Sequence, residues 1–184
     1  MYTSMMIAGF GGQGIILTGK LLGYAACAGG LQATFLPSYG AEQRGGTARC
    51  SVILSDQPIG SPAVSRPDLL VAMNQPSLDK FVAAVRPGGY ILINESMVHR
   101  QPERQDVTVI GIACDDMAKA LGSGKVGNIV MLGAILAVTK AISPKQMKKT
   151  IGQQLGKKPE LLPLNHQALE RGYEEAARLI PECM

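Results

Sequence analysis

Six residues near the start of the chain have the types and spacing of an anion-binding turn. They are Gly9, Phe10, Gly11, Gly12, Gln13 and Gly14, and Gly9, Gly11 and Gly14 fit the pattern G-x-G-x-x-G. Glycine suits a turn with positive φ and lets the backbone approach a ligand or a helix closely. The N–H groups of Gly12, Gln13 and Gly14 are expected at the first turn of a helix, where unpaired donors and the helix dipole favour phosphate or carboxylate. A tight strand-to-helix turn that binds nothing fits the same pattern.

A second polar segment, residues 38–46, follows the second predicted strand. Its residues are Ser38, Tyr39, Gly40, Ala41, Glu42, Gln43, Arg44, Gly45 and Gly46. The glycines bracket an acid, an amide and a guanidinium, so Arg44 could hold a carboxylate or phosphate bidentately, and Glu42 could pair with Arg44 or with a partner's cation. The alternative is a solvated loop with a local Glu42–Arg44 ion pair that contributes little.

Three more polar side chains, Asn74, Gln75 and Asn94, follow predicted strands and are secondary candidates for ligand contact at the same sheet edge. The sequence identifies no catalytic residue and no metal site. Its four cysteines, Cys27, Cys50, Cys114 and Cys183, lie far apart and form no C-x-x-C pair, so reduced and mostly buried thiols are expected. The second strand ends without the Asp or Glu that takes the ribose hydroxyls of a nicotinamide cofactor, which argues against NAD.

Alternating strands and helices position these residues. The apolar run 4–8 predicts a buried strand, and helical spacing after the glycine turn predicts a helix ending at Gly29-Gly30. Further strands are predicted at 31–36 (closed by Pro37 and completing a βαβ unit), 47–55 (antiparallel or at an edge), 68–73, 90–94 and 107–112. Helices are predicted at 77–85, 114–121, 128–141, 143–155 and 165–180. This order predicts an α/β, Rossmann-like fold with a mostly parallel sheet and helices on both faces.

Length and composition limit the possible classes. A chain of 184 residues suits one domain, expected to span residues 1–184. The net charge of +4 is mild and the basic residues do not form a footprint with interleaved aromatics, so no nucleic-acid partner is expected. No apolar stretch reaches membrane-spanning length and no secretory signal is recognisable, so we expect a cytoplasmic protein without a membrane partner.

The two motifs together, Gly9-Phe-Gly-Gly-Gln-Gly14 and Ser38-Tyr-Gly-Ala-Glu-Gln-Arg-Gly-Gly46, resemble the gamma subunit of 2-oxoacid:ferredoxin oxidoreductases over nearly the full length. The resemblance implies a subunit that works within an assembly of alpha and beta subunits, with a delta subunit where the complex has one. In that family thiamine diphosphate and iron–sulfur clusters carry out oxidative decarboxylation, coenzyme A takes the acyl group and ferredoxin takes the electrons. Among the substrates, 2-oxoglutarate is favoured because a short, self-standing gamma chain suits that branch.

The residues agree with this division of labour. No G-D-G followed by a distant Asn marks a thiamine diphosphate site, and the cysteine spacing gives no local cluster motif, so this chain is expected to bind no cofactor alone and to be inactive alone. Our hypothesis is that both motif loops line the junction with the thiamine-binding partners, where Glu42 and Arg44 fix the interface or position an anionic group. Two alternatives remain open: a free-standing nucleotide-binding oxidoreductase in which Arg44 receives a 2′-phosphate, and a purely structural interaction subunit.

Overall fold

The computed structural model of the protein describes residues 1–39 and 47–181. In these ranges six strands form one sheet: β1 (Tyr2–Phe10), β2 (Gln32–Tyr39), β3 (Thr47–Ser55), β4 (Leu69–Ala72), β5 (Tyr90–Asn94) and β6 (Thr108–Ile112). The α-helices are α1 (Ile15–Ala28), α2 (Gln75–Phe81), α3 (Cys114–Ala120), α4 (Gly127–Thr139), α5 (Pro144–Leu155) and α6 (Leu162–Leu179), with short 3₁₀ turns at Val82–Ala84, Gly124–Val126 and Pro159–Leu161.

The sheet is mostly parallel, as predicted. Its strand order is β2-β3-β1-β4-β5-β6, and among the described strands β3 alone runs against the others. The strands predicted at 47–55 and 90–94 have the predicted bounds. Helix α6 begins three residues earlier than predicted, with Pro163 in its first turn, where the missing N–H of proline costs nothing. The predicted fold class is confirmed.

Of the two placements predicted for residues 47–55, the antiparallel one is confirmed and the edge position is wrong. Strand β3 lies antiparallel between β2 and β1, so the β1–α1–β2 unit joins two parallel strands that are not neighbours. The predicted end of the second strand at Pro37 is also wrong, because β2 continues to Tyr39. Proline is tolerated there because β2 is an edge strand, which has one side with no partner for an N–H.

Alternating side chains of the central strands supply two separate cores. On one face, Met5 and Ile7 of β1 pack with residues of α1, α3, α4, α5 and α6. On the other face, Met6 and Ala8 pack with Leu78 and Phe81 of α2. The helices therefore cover both faces, but unevenly, and the parallel strands are buried on both sides, which explains their continuous apolar character.

Helices α4 and α6 cross with almost no space between their backbones. A Cβ atom added at Gly133 would lie 2.1 Å from the carbonyl oxygen of Leu169, and one added at Gly172 would lie 1.8 Å from that of Val130. The two glycines thus allow α6 to lie directly on α4, most of whose residues are buried. No helix among residues 1–39 and 47–181 has the length and apolar character needed to cross a lipid bilayer.

Candidate functional site

The glycine turn lies between the carboxyl end of β1 and the amino end of α1, as the sequence predicts. Gly12 and Gly14 have φ values of 100° and 75°, a conformation that L side chains rarely adopt, and Gly14 is the N-cap of α1. The N–H of Gln13 donates to the carbonyl oxygen of Phe10 at 3.2 Å. It therefore closes the turn and is not a free donor at the first turn of the helix, contrary to the sequence-based expectation.

Two glycines of the motif are needed because other side chains occupy the space beside them. A Cβ atom at Gly9 would lie 2.6 Å from Gln13 Oε1 and 2.7 Å from Ile15 Cδ1. One at Gly14 would lie 2.5 Å from Asn128 Nδ2, at the start of α4. The first glycine of the motif thus accommodates the glutamine of the same motif, and the last accommodates a neighbouring helix.

The Gln13 side chain points into the molecule and joins β1 to the end of β4. Its Oε1 accepts hydrogen bonds from the Phe10 N–H at 2.7 Å and from Asn74 Nδ2 at 2.9 Å. Its Nε2 donates to the Met73 carbonyl oxygen at 3.1 Å. With both acceptor directions of Oε1 in use, the amide has little capacity left for a ligand.

Asn74 and Gln75 lie at the same edge, and each holds a local structure. Asn74 is 1% exposed and its Oδ1 accepts from the Ser77 N–H at 3.0 Å, which caps α2. Gln75 Oε1 accepts from the N–H groups of His99 and Arg100 at 3.0 and 2.9 Å, and so fastens the connection after β5. Both amides therefore bond to their own chain, and their contact with a ligand stays a prediction.

Asn94, at the end of β5, is fully buried and bonds to the next element of the fold. Its Nδ2 donates to Asp115 Oδ2 at 3.0 Å, and its Oδ1 accepts from the Cys114 N–H at 3.2 Å. Nδ2 also lies 3.5 Å from the Met73 carbonyl oxygen, the atom that Gln13 contacts from the other side. The carboxyl ends of β1, β4 and β5 and the start of α3 are thus linked by side-chain amides.

The flanks of the second motif reach this edge as well. Tyr39 pairs with Ala48, which pairs in turn with Gly9 on β1, and Thr47 pairs with Phe10. Ser38 lies one residue earlier in β2, opposite Arg49. The chain therefore leaves and re-enters the sheet beside the glycine turn. The remaining predicted residues of this motif, Gly40, Glu42, Gln43, Arg44, Gly45 and Gly46, lie outside the described residues.

A cleft of about 320 Å³ opens between the glycine turn and the segment that begins α4. Its lining includes residues 12–14, with Gln13 among them, together with Asp115, Lys125 and Asn128. One carboxylate and one ammonium give the described lining no net charge, so its field does not strongly favour an anion. Sequence reasoning missed Asp115, Lys125 and Asn128, although the break in helical pattern at Gly122–Gly127 marks a turn that returns to this edge.

The thiols near this edge are poor nucleophiles. Burial raises the pKa of Cys50 to about 12. Burial, with a smaller contribution from the charge of Asp115, also raises the pKa of Cys114 well above its usual value. Both sulfurs therefore stay protonated at neutral pH. Cys27 is exposed, and no group of three or more His, Cys, Asp or Glu in residues 1–39 and 47–181 is arranged to hold a metal ion.

Comparison with known proteins gives one family. Residues 4–175 match the pyruvate ferredoxin/flavodoxin oxidoreductase family. The chain is 39% identical over 183 residues to the 2-oxoglutarate synthase subunit KorC of Methanocaldococcus jannaschii, covering 97% of this chain and 96% of that protein. It is 38% identical over 173 residues to the ketoisovalerate oxidoreductase subunit VorA of Methanothermobacter marburgensis, covering 94% of this chain but 36% of VorA. The chain therefore spans about a third of the length of VorA.

Solved structures give the same picture. The gamma subunit of a keto/oxoacid ferredoxin oxidoreductase from Geobacter sulfurreducens superposes with a TM-score of 0.86 at 31% identity, covering 97% of this chain and 98% of that one. A 2-oxoglutarate:ferredoxin oxidoreductase from Magnetococcus marinus, solved with 2-oxoglutarate, coenzyme A and succinyl-CoA bound, superposes with a TM-score of 0.90 at 26% identity. That match covers 97% of this chain and 32% of the Magnetococcus chain.

Proposed function

The chain belongs to the pyruvate ferredoxin/flavodoxin oxidoreductase family as a gamma-type subunit, and we propose that it serves a complex that oxidatively decarboxylates a 2-oxoacid. The products are acyl-CoA and carbon dioxide, and the electrons pass to ferredoxin. Residues 1–184 act as one domain of this assembly. Alone it is inactive.

One observation carries the proposal: this chain and KorC match over almost the whole of both proteins. Since KorC is named as a subunit of 2-oxoglutarate synthase, we extend the proposal to 2-oxoglutarate as the substrate. The match to VorA has nearly the same identity but covers a third of that protein, so 3-methyl-2-oxobutanoate is the substrate to test against it.

The catalytic cofactors belong to the partner subunits in this proposal. Thiamine diphosphate and the iron–sulfur clusters are held by the alpha and beta subunits, and by a delta subunit where one is present, in a cytoplasmic complex.

The surface proposed to contact the partner subunits is the carboxyl edge, by which we mean the edge of the sheet at the carboxyl ends of β1, β4 and β5. The glycine turn and both flanks of the 38–46 segment lie there, because Tyr39 and Thr47 pair with Ala48 and Phe10 at the end of the sheet. The carboxyl ends of strands in open α/β sheets are where ligands bind. In the proposal, Glu42 and Arg44 fix this interface or position an anionic group of substrate or coenzyme A.

The test is purification of the tagged chain from its native host. Alpha and beta subunits should co-purify, and the eluate should reduce an electron acceptor when given coenzyme A and 2-oxoglutarate, with lower turnover of pyruvate and of 3-methyl-2-oxobutanoate. Turnover of any 2-oxoacid by the chain alone would contradict the proposal. So would an increase in the melting temperature of the isolated chain with NADP or FAD, since a ligand stabilises the state that it binds.

The interface residues are tested by Arg44→Ala in the same preparation. It should weaken assembly or lower turnover while the chain stays folded. The control is Arg66→Ala, in the exposed connection before β4, which removes the same charge at the opposite end of that strand. Equal assembly and turnover of both variants would remove Arg44 from the proposal.

A further inference from the structure

Gln13 has the one polar side chain within residues 9–14, and three of the four hydrogen-bonding positions of its amide are used within the fold. Three hydrogen bonds connect it to the Phe10 N–H, to Asn74 Nδ2 and to the Met73 carbonyl oxygen. Two of these partners lie about 60 residues away in sequence, at the end of β4. The bonds therefore fix the turn relative to a distant strand end, which a local turn cannot do by itself.

The space for this arrangement is built into the motif. Gln13 Oε1 lies where the side chain of residue 9 would otherwise begin, 2.6 Å from an added Cβ. The Asn74 amide that it accepts from is itself fixed, because Asn74 is 1% exposed and caps α2 through Ser77. Gly9, Gln13 and Asn74 thus form an interlocked unit, which we call the amide clasp.

The clasp continues along the edge. Met73 O, which accepts from Gln13 Nε2, also lies 3.5 Å from Asn94 Nδ2, and Asn94 bonds onward to Asp115. The clasp itself, Gly9, Gln13 and Asn74, contains neutral amides only, and the first charged group along this path is Asp115, beyond Asn94. Neutral groups that are already hydrogen-bonded can be covered by another protein at a lower desolvation cost than an ion pair. This composition suits an edge that a partner covers.

We infer that Gln13 is a positioning residue: the amide clasp holds the backbone of residues 9–14 in the shape that the partner subunit binds, and the Gln13 side chain itself contacts no ligand. The inference rests on the proposed function. It assigns recognition to the turn's backbone surface, including the Gly12 backbone, whose surroundings leave open space within 4 Å of an added Cβ. The clasp determines how strongly the chain is held in the complex.

Two variants remove the clasp from opposite sides. Gln13→Met keeps a side chain of similar length and removes all three hydrogen bonds. Asn74→Ser keeps a good N-cap residue for α2 and removes only the amide donor to Gln13. Ser4→Ala is the matched control: the Ser4 hydroxyl bonds to Asp68 Oδ2 at 2.7 Å and accepts from the Asp68 N–H at 3.2 Å, so it bridges β1 and β4 at their other ends.

The experiment uses the purified complex with each variant. The rate of methyl viologen reduction is measured with 2-oxoglutarate and coenzyme A as substrates while the complex is serially diluted. The concentration of complex at which half of the specific activity is lost is called the dilution midpoint. Gln13→Met should raise this concentration about tenfold, the effect of roughly one net hydrogen bond, and Asn74→Ser less. Ser4→Ala should leave it unchanged. The KM for 2-oxoglutarate should be the same in all variants, because Gln13 contacts no substrate.

Hydrogen exchange in the complex provides a second measurement. Both clasp variants should exchange the Phe10 amide faster, and Ser4→Ala should not. If Gln13→Met and Ser4→Ala have the same dilution midpoint, the clasp only stabilises the fold and the inference is wrong; a raised KM with an unchanged midpoint would overturn it too. If Gln13→Met does not fold, the midpoint of Asn74→Ser decides. A wild-type chain that recovers no partner subunits refutes the proposed function instead.

Discussion

Strands β1 and β4 are joined by four pairs of residues, from Met5–Leu69 to Ala8–Ala72, and a different kind of side-chain bridge stands at each end of them. At the amino end, the Asp68 carboxylate accepts from the Ser4 N–H and hydroxyl at 2.6 and 2.7 Å and forms an ion pair with Arg86. At the carboxyl end, the amide clasp makes the connection without any charge.

The difference fits the proposed function, in which a partner subunit covers the carboxyl end and water covers the amino end. Arg86 is 57% exposed, so water solvates the charge of the amino-end bridge and the ion pair loses little by being there. A partner that covered such a pair would remove that water, and the Coulombic gain often fails to offset the desolvation cost. Amides bonded to their own chain avoid this cost. Under the proposed function, the amino end contributes stability alone, whereas the carboxyl end contributes stability and a fixed surface for recognition.

The largest loss of stability is expected from a change at the crossing of α4 and α6, away from both ends of the β1–β4 pair. This change serves as a reference for a loss of stability that does not alter either bridge. Gly172→Ala would place a Cβ atom 1.8 Å from the Val130 carbonyl oxygen, so α6 has to move away from α4. We expect a loss of about 3 kcal/mol in the free energy of unfolding, measured by denaturant titration. Gly152→Ala, in α5 with open space around it, is the control. If the folded fraction of Gly172→Ala assembled as poorly as Gln13→Met, weak assembly would not be specific to the carboxyl end, and the comparison between the two ends would fail.

Gly9→Ala should have the next largest effect, because the new Cβ atom would lie 2.6 Å from Gln13 Oε1 and 3.0 Å from Met73 Cβ. The Gln13 side chain must then leave the clasp. We expect a loss of about 2 kcal/mol in the free energy of unfolding together with weaker assembly. Gly23→Ala, which has open space in α1, should instead stabilise the chain by about 0.5 kcal/mol. If Gly9→Ala assembled as well as the wild type, Gly9 would play no part in binding the partner subunit.

Local sequence patterns predicted the elements of this fold, but not how distant elements pair. The strand at 47–55 was found with its bounds because its apolar run is local, whereas its insertion between β2 and β1 depends on pairings across the sheet. Pro37 predicts the end of the second strand, whereas the strand continues to Tyr39 because its edge position leaves one side without a partner for an N–H.

The candidate site was predictable in the same partial way. The sequence placed the glycine turn, Asn74, Gln75 and Asn94 at one edge, and the structure has them there. It could not show that the amides turn inward, since Gln13 and Asn74 are 61 residues apart. The spacing of Gly9 and Gln13 was an available signal, because a glycine beside a strand end indicates a close approach by another group. Glu42 and Arg44 lie outside the described residues and stay predictions.

A smaller effect is expected from the amino-end bridge. Ser4→Ala removes the hydroxyl that donates to Asp68 Oδ2 and accepts from the Asp68 N–H. The Ser4 N–H still donates to the same carboxylate at 2.6 Å, so we expect a loss of about 1 kcal/mol in the free energy of unfolding. Thr3→Ala, one residue earlier in β1 and half-buried, controls for a lost hydroxyl. A dilution midpoint that rose with Ser4→Ala would mean that both ends serve recognition.

The smallest effect is expected from the Arg104–Asp106 pair near the amino end of β6, where the free energy of unfolding should depend on pH. Just before β6, Arg104 donates to both carboxylate oxygens of Asp106, at 2.8 and 2.6 Å, and to the carbonyl oxygens of Val82 and Val85. The hydrogen bonds from Arg104 hold the pKa of Asp106 below its ordinary value. A carboxylate with a lowered pKa contributes stability above its unfolded-state pKa, and that contribution is lost as the pH falls through the folded-state value.

Asp106→Asn should therefore lower the free energy of unfolding slightly at pH 7, since the pair is exposed, and should approach the wild-type value as the pH falls below about 4. The acid side of its stability profile is then flatter than that of the wild type. Glu103→Gln, in the same connection, controls for the loss of one negative charge. Gln13→Met should lower the whole profile by the same amount at every pH, since amides do not titrate. An acid-dependent loss in Gln13→Met, measured by denaturant titration from pH 3 to pH 7, would mean that the amide clasp itself depends on a charged group, and the contrast between the two bridges would no longer hold.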